Sequence, residues 1–121
     1  MAKIILIVDD DPTMIKLVGT ILKKEGFIVE TAYDGLDALA KLKKINPDLI
    51  ILDVIMPEIN GYDVCYQLRF NKEFEKIPII LLTERSQEIV DDIGQKVNIA
   101  YIQKPLDQKI LLNQIHQLIS A

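Results

Sequence analysis

Three uninterrupted runs of aliphatic residues constrain the fold of this chain more than any other feature. They read IILIV at residues 4–8, LIIL at 49–52 and IILL at 79–82. Strict alternation of apolar and polar residues would indicate a sheet with one wet face. A continuous apolar run of this length instead indicates a strand that is buried on both faces. Such strands belong to parallel sheets that helices cover on both sides, so we expect an α/β fold.

Helical patterns separate these runs, so predicted strands and helices alternate regularly along the chain. Pro12 is well placed in the first turn of a helix, an apolar stripe follows at helical spacing, and Gly26 ends that helix. Asp34-Gly35 forms a turn before a second helix, which Asn46-Pro47 stops because proline cannot continue a helix. We expect strands at 4–8, 27–32, 49–52, 79–82 and 99–103, and helices from 12, from 35 to about 45, through 64–68, at 89–97 and at about 106–119.

Five strand–helix units in succession predict a flavodoxin-like (βα)5 fold. We expect a five-stranded parallel sheet in the order 2-1-3-4-5, with five helices distributed over both faces. The chain has 121 residues, which suits one domain covering residues 1–121. A domain of this size buries roughly two thirds of its unfolded surface, which is enough for an independent core.

The composition argues against several classes of function. A net charge of −4 does not suit a nucleic-acid-binding protein, since such proteins need a basic face. Cys65 stands alone and cannot form an internal disulfide, so we expect it to be a small buried hydrophobe. The N-terminal apolar run is too short for a signal peptide, and no run approaches the ~20 residues of a membrane span. We therefore expect a soluble cytoplasmic protein without nucleic-acid or membrane partners.

Polar side chains gather where the predicted strands end. Charged or hydroxyl residues follow four of the five strands: Asp9, Asp10, Asp11, Asp53, Thr83 and Lys104. In open α/β sheets, ligands bind outside the carboxyl ends of the strands, and this strand order brings Asp9, Asp10 and Asp53 together. Oxygen ligands without histidine or cysteine suit a hard cation such as Mg²⁺.

A metal ion and a lysine on two sides of one carboxylate describe a site that accepts a phosphoryl group. The metal would neutralise two phosphoryl oxygens, Lys104 would hold another, and the Thr83 hydroxyl would hydrogen-bond to one. Asp53 is then the predicted nucleophile, and it would form an aspartyl phosphate.

The same residues resemble the receiver domains of bacterial two-component response regulators, in particular single-domain receivers of the chemotaxis type. The acidic pair after strand 1, LDVIMPEING after strand 3, the threonine after strand 4 and KP after strand 5 follow the family's order over essentially the whole chain. The resemblance implies a phospho-accepting switch in a phosphorelay. It is not an enzyme acting on separate substrates, because it catalyses only its own phosphorylation and dephosphorylation.

The resemblance also implies partners. A sensor histidine kinase or a phosphotransfer protein would donate the phosphoryl group from a phosphohistidine. A downstream protein target, or a C-terminal output domain missing from this chain, would read the result. The start of the chain and the lack of a linker at its end favour a stand-alone protein.

The resemblance implies a role for each matching residue around the acceptor. Asp53 would be phosphorylated, and Asp10 would ligate Mg²⁺ directly while Asp9 acts mainly through water. The backbone carbonyl of Ile55 would complete the protein ligands.

The remaining matches imply a switch. Thr83 and Lys104 would bind the phosphoryl group, and Lys104-Pro105 would be a cis peptide bond, which proline tolerates. Tyr101 occupies an aromatic position that turns inward when Thr83 moves. The face made by the predicted helix at 89–97, strand 5 and the last helix would carry the output.

Two alternatives remain open. Glu84 stands where the family usually has alanine or glycine, and a bulky acid there could block or repel a phosphate. Glu84 is therefore a candidate gate, and it motivates a pseudo-receiver that binds a partner without being phosphorylated.

DDDPT at 9–13 also fits D-x-D-x-T, the nucleophile motif of haloacid-dehalogenase-type phosphatases, with Asp9 as nucleophile and Asp11 as acid. Such enzymes usually have a longer core, and Asp11 is at least as well explained as the N-cap of the helix that Pro12 begins.

Overall fold

The computed structural model describes residues 2–53, 61–83 and 99–119. Its five strands form one parallel sheet in the order β2-β1-β3-β4-β5, which confirms the predicted order. The strands are β1 (Ile4–Val8), β2 (Ile28–Ala32), β3 (Leu49–Asp53), β4 (Ile79–Thr83) and β5 (Ile99–Gln103).

Four helices lie within the described residues. They are α1 (Pro12–Lys24), α2 (Gly35–Leu42), α3 (Gly61–Arg69) and α4 (Gln108–Ile119). The predicted helix at 89–97 lies outside the described residues, so the fifth helix of the fold stays a prediction. In the part of the chain that the structure describes, none of the helices has the length and apolar character needed to cross a membrane.

Two helix boundaries differ from the prediction. α2 ends at Leu42, and the Lys43, Lys44 and Ile45 N–H groups then donate to Ala40 and Lys41 carbonyls in tight turns. α4 begins at Gln108 because the Asp107 side chain accepts hydrogen bonds from the Lys109 and Ile110 N–H groups at 2.8 and 3.2 Å. A side chain that accepts from the first turn in this way marks the start of a helix.

Side chains along the central strands alternate between two apolar cores, one on each face of the sheet. On the first face, strand residues pack with α2 and α3; they include Leu6, Val8, Ile50, Leu52, Leu81, Ala38, Val64, Cys65 and Leu68. On the second face, strand residues pack with α1 and α4; they include Ile5, Ile7, Ile51, Ile80, Val18, Leu22, Leu111 and Ile115. Every residue of β3 and β4 is buried, as their continuous apolar runs predict.

Aspartates cap the helices that follow the first two strands. The Thr13 N–H donates to Asp11 Oδ1 at 2.9 Å, and the Asp37 N–H donates to Asp34 Oδ1 at 2.7 Å. Each bond satisfies an amide that the first turn of a helix leaves without a partner. The predicted N-cap role of Asp11 is confirmed. Gly26 has a φ of 90° just after α1, a conformation that favours glycine and ends the helix.

Candidate functional site

An acidic cluster lies at the carboxyl ends of β1 and β3, which are neighbours in the sheet. Val8 pairs with Leu52, so the residues that follow them emerge side by side. Asp9, Asp10 and Asp53 each place a carboxylate oxygen within 4.8 Å of the others. The structure thus brings together the three aspartates that the strand order places at this edge.

The three carboxylates differ in their exposure to solvent. Asp9 and Asp53 are 2% and 5% exposed, whereas Asp10 is on the surface. Asp9 directly follows the buried strand β1, whereas Asp10 lies at a bend in the chain that leads to α1. The cluster therefore has two buried carboxylates and one carboxylate that is accessible to solvent.

Lys104 brings a positive charge to this edge from the end of β5. Its Nζ lies 3.0 Å from Asp53 Oδ1, and both side chains are largely buried. An ion pair removed from water in this way is screened less than a surface pair. The Lys104 N–H donates to the Thr83 carbonyl at 2.7 Å, which ties the end of β5 to the end of β4. The Lys104-Pro105 peptide bond is cis, as the family resemblance implies.

Thr83 and Tyr101 lie on the neighbouring strands β4 and β5. Thr83 is the last residue of β4 and is buried, and it pairs in register with Gln103. Tyr101 pairs with Leu81 and is half-buried against the core on the α2–α3 face. The proposed inward movement of Tyr101 stays a prediction.

Two predicted site residues lie outside the described residues. These are Ile55, predicted to offer its carbonyl to a metal, and Glu84, the candidate gate. The predicted output face is described only where β5 and α4 form it.

Burial raises the pKa of Asp9 from its ordinary value of 3.8 to about 6. The negative charges of Asp53 and Asp10 add to this rise, whereas the Asp11 N–H and the Lys104 charge oppose it. The Asp11 N–H donates to Asp9 Oδ1 at 2.9 Å, while Oδ2 is buried with no hydrogen-bond partner among the described residues. A buried carboxylate oxygen without a hydrogen-bond partner lowers the stability of the fold unless a proton or a cation binds to it.

The residues present fit a hard divalent cation. Three carboxylates converge within 4.8 Å of one another, Lys104 pairs with Asp53, and Asp9 Oδ2 has no hydrogen-bond partner among the described residues. Within residues 2–53, 61–83 and 99–119, no histidine or cysteine joins this cluster. An oxygen-only set favours Mg²⁺ or Ca²⁺ over metals that prefer thiolate or imidazole.

The hydrogen bond from the Asp11 N–H to Asp9 was not predicted from the sequence. A signal for it exists, because an aspartate side chain commonly bonds to the backbone N–H two residues later. The same pattern repeats two residues later, where the Thr13 N–H donates to Asp11 Oδ1.

The structure weighs against the phosphatase interpretation. That mechanism needs Asp11 as an acid beside Asp9, but the Asp11 carboxylate caps α1 and lies outside the acidic cluster.

The chain matches the family model of the response regulator receiver domain over residues 5–116. It is 34% identical to protein PilH of Pseudomonas aeruginosa over 118 residues, which cover 97% of this chain and 98% of PilH. It is also 35% identical to hybrid signal transduction histidine kinase D of Dictyostelium discoideum over 118 residues. That match covers 97% of this chain but spans only 8% of the much longer kinase.

A solved structure gives the same assignment. Response regulator protein TrrA from Thermotoga maritima, in complex with Mg(2+)-BeF, is 35% identical to this chain, with a TM-score of 0.84. The match covers 96% of this chain and 98% of TrrA. The family model spans most of the sequence, PilH is matched almost end to end, and the fold is shared. The chain therefore belongs to the response regulator receiver domain family, whose members are phospho-accepting signalling switches.

Proposed function

We propose that Asp53 of this chain accepts a phosphoryl group in the presence of Mg²⁺ and that the group biases a signalling switch. The observation that carries the proposal is the position of Asp53. It is 5% exposed, lies within the cluster formed with Asp9 and Asp10, and pairs with Lys104 at 3.0 Å. One carboxylate thus has a lysine on one side and, on the other, the acidic pair proposed to bind a cation, which suits phosphoryl transfer.

The proposed transfer forms one bond and breaks one. A carboxylate oxygen of Asp53 bonds to phosphorus, while the bond from phosphorus to the donor's imidazole nitrogen breaks and that nitrogen keeps the electron pair. The donor is the phosphohistidine of a sensor histidine kinase or a phosphotransfer protein. Lys104 pairs with the transferred phosphoryl oxygens, and Thr83 donates its hydroxyl hydrogen to one of them.

The proposed metal is Mg²⁺, which Asp10, Asp53 and the carbonyl of Ile55 would hold directly and Asp9 mainly through water. When bound, it neutralises charge on the phosphoryl oxygens. Two observations support it: the orphaned Oδ2 of Asp9, and the Mg(2+)-BeF complex of TrrA.

The proposed switch runs through the ends of β4 and β5. A phosphoryl group on Asp53 draws Thr83 toward it, and Tyr101 on the next strand moves into the space that Thr83 leaves. The group acts by favouring one of two states. The face formed by β5, α4 and the predicted helix at 89–97 then binds a downstream protein or an output domain.

Acetyl phosphate with Mg²⁺ is expected to label Asp53. Intact-mass spectrometry should show one added phosphoryl group, and peptide mapping should place it on Asp53. EDTA should prevent labelling, and Asp53→Asn should abolish it. Label on Asp9 would support the phosphatase interpretation instead, and no label from acetyl phosphate or a histidine kinase would support the pseudo-receiver.

Affinity for Mg²⁺ is expected to fall as the pH drops below about 6. The raised pKa of Asp9 means that this group is largely protonated at lower pH, and a cation must then displace the proton. The apparent dissociation constant should rise by up to about tenfold per pH unit below that value, if one proton is displaced. Isothermal titration calorimetry between about pH 5 and 8 measures this. A constant affinity across that range would show that Asp9 is already ionised in the metal-free protein.

Glu84→Ala is expected to speed the labelling of Asp53 by acetyl phosphate, since it removes an acid next to Thr83 in the sequence. A severalfold gain would correspond to about 1 kcal/mol of relieved repulsion. Glu84→Gln is the matched control, because it removes the charge but keeps the bulk. Equal rates for all three proteins would show that Glu84 is not a gate.

A further inference from the structure

We infer that Asp11 is a positioning residue for the metal-binding carboxylate of Asp9, in addition to capping α1. The inference rests on the proposed magnesium site. Asp11 lies outside the acidic cluster, so its effect on a cation would pass through its backbone.

Two consecutive hydrogen bonds connect the start of α1 to the cluster. The Asp11 N–H donates to Asp9 Oδ1 at 2.9 Å, and the Thr13 N–H donates to Asp11 Oδ1 at 2.9 Å. The Asp11 carbonyl also accepts the first backbone bond of the helix, from the Ile15 N–H at 3.1 Å. The N–H that holds Asp9 therefore belongs to a residue that the helix holds at two further points.

The orientation of the Asp9 carboxylate follows from this arrangement. Oδ1 is engaged by the Asp11 N–H, which leaves Oδ2 as the oxygen available to a cation. Oδ2 is buried and has no hydrogen-bond partner within the part of the chain that the structure describes. The Asp9 N–H also donates to the Ala32 carbonyl at 3.1 Å, so the backbone of Asp9 is held as well. The remaining freedom is rotation of the carboxylate, which the Asp11 N–H restricts.

Loss of the Asp11 side chain removes one of these restraints. The Thr13 N–H then has no capping oxygen, the first turn of α1 loosens, and the Asp11 N–H is held less firmly against Asp9. Groups that orient a ligand in this way typically affect metal affinity by 10- to 100-fold. We expect the lower end of that range, because the Ile15 bond and Pro12 still define the start of the helix.

The chain offers a matched control in Asp34. It caps α2 as Asp11 caps α1, through a side-chain bond from Asp37 N–H at 2.7 Å and a backbone bond from Ala38 N–H at 3.0 Å. Asp34 also lies outside the acidic cluster. Its loss should lower the melting temperature by an amount comparable to the loss of Asp11 without affecting the site.

The experiment measures the Mg²⁺ dissociation constant of the full chain by isothermal titration calorimetry. Asp11→Ala is expected to weaken binding by about tenfold. Asp11→Asn keeps a capping oxygen and should bind within about threefold of the wild type, since asparagine caps as well as aspartate and an exposed charge is screened. Asp34→Ala should bind as the wild type does. Thermal unfolding in EDTA confirms that each variant is folded at the temperature of the titration.

Two results would overturn the inference while leaving the proposed function intact: wild-type affinity in Asp11→Ala, or equal weakening in Asp11→Ala and Asp11→Asn, which would mean that only charge matters. Failure of the wild type to bind Mg²⁺ at all would instead contradict the proposed function, and the inference with it.

A measurement on the wild type alone covers the case in which Asp11→Ala does not fold. Mg²⁺ should shift the amide resonance of Asp11 more than that of Asp37, and the reverse order would also overturn the inference.

Discussion

Asp9→Asn is expected to stabilise the metal-free protein by about 3 kcal/mol at pH near 8. The pKa of Asp9 rises from 3.8 to about 6 on folding, and each unit corresponds to about 1.4 kcal/mol. The folded state therefore binds the Asp9 proton more tightly than the unfolded state does. This favours folding at pH below about 4, and the advantage is lost as the pH rises through about 6. Asparagine keeps an oxygen for the Asp11 N–H and removes the buried charge.

The same substitution is expected to weaken stabilisation by Mg²⁺, because it removes a carboxylate that the proposed magnesium site uses mainly through water. Urea unfolding in EDTA and in excess Mg²⁺, across pH 4 to 8, measures both effects. The gain over the wild type should grow from about pH 4 to about pH 6 and then level off. Asp10→Asn is the matched control: it should weaken Mg²⁺ binding but stabilise the metal-free protein much less, because Asp10 is exposed. A variant at Asp9 that is less stable than the wild type in EDTA at high pH would contradict this account.

Leu52→Ala is expected to destabilise the protein by about 3 kcal/mol, within the range of about 2–5 kcal/mol for buried leucines. Leu52 is 0% exposed and lies in the central strand, where it belongs to the core shared with α2 and α3. Truncation removes apolar contacts and leaves a cavity that rigid neighbouring strands cannot fill. Leu52 directly precedes Asp53, so the core that Leu52 fills also supports the backbone of the proposed acceptor.

Leu17→Ala is the control for this prediction. Leu17 is 47% exposed on α1, so its truncation should change stability by less than about 1 kcal/mol. Guanidinium unfolding monitored by circular dichroism gives both values. Similar losses for the two variants would show that Leu52 is not a core residue.

Much of the fold was predictable because burial on two faces leaves a distinctive pattern. A strand such as 49–52 has no solvent face, so each of its positions is aliphatic, and the structure buries all of β3. The end of α2 was predicted less well, because it depends on the tight turns before Pro47.

The sequence was sufficient to predict which residues of the site lie close together. Parallel strands place their carboxyl ends at one edge, so residues that follow β1 and β3 approach each other whatever their chemistry. The roles of Ile55 and Glu84 stay predictions, since both lie outside the described residues.

The sequence by itself determined the α/β class, the strand order expected for it and the convergence of Asp9, Asp10 and Asp53, and it offered the cap at Asp11 as one of two interpretations. These follow from local patterns, namely apolar runs, spacing and capping chemistry. Only the tertiary structure decided that Asp9 is buried beside an exposed Asp10. It also decided that Asp11 holds Oδ1 of Asp9, while Oδ2 has no hydrogen-bond partner in residues 2–53, 61–83 and 99–119. Solvent exposure and hydrogen-bond partners depend on how separate elements pack in three dimensions. The raised pKa of Asp9, which depends on both, is therefore a property of the folded protein.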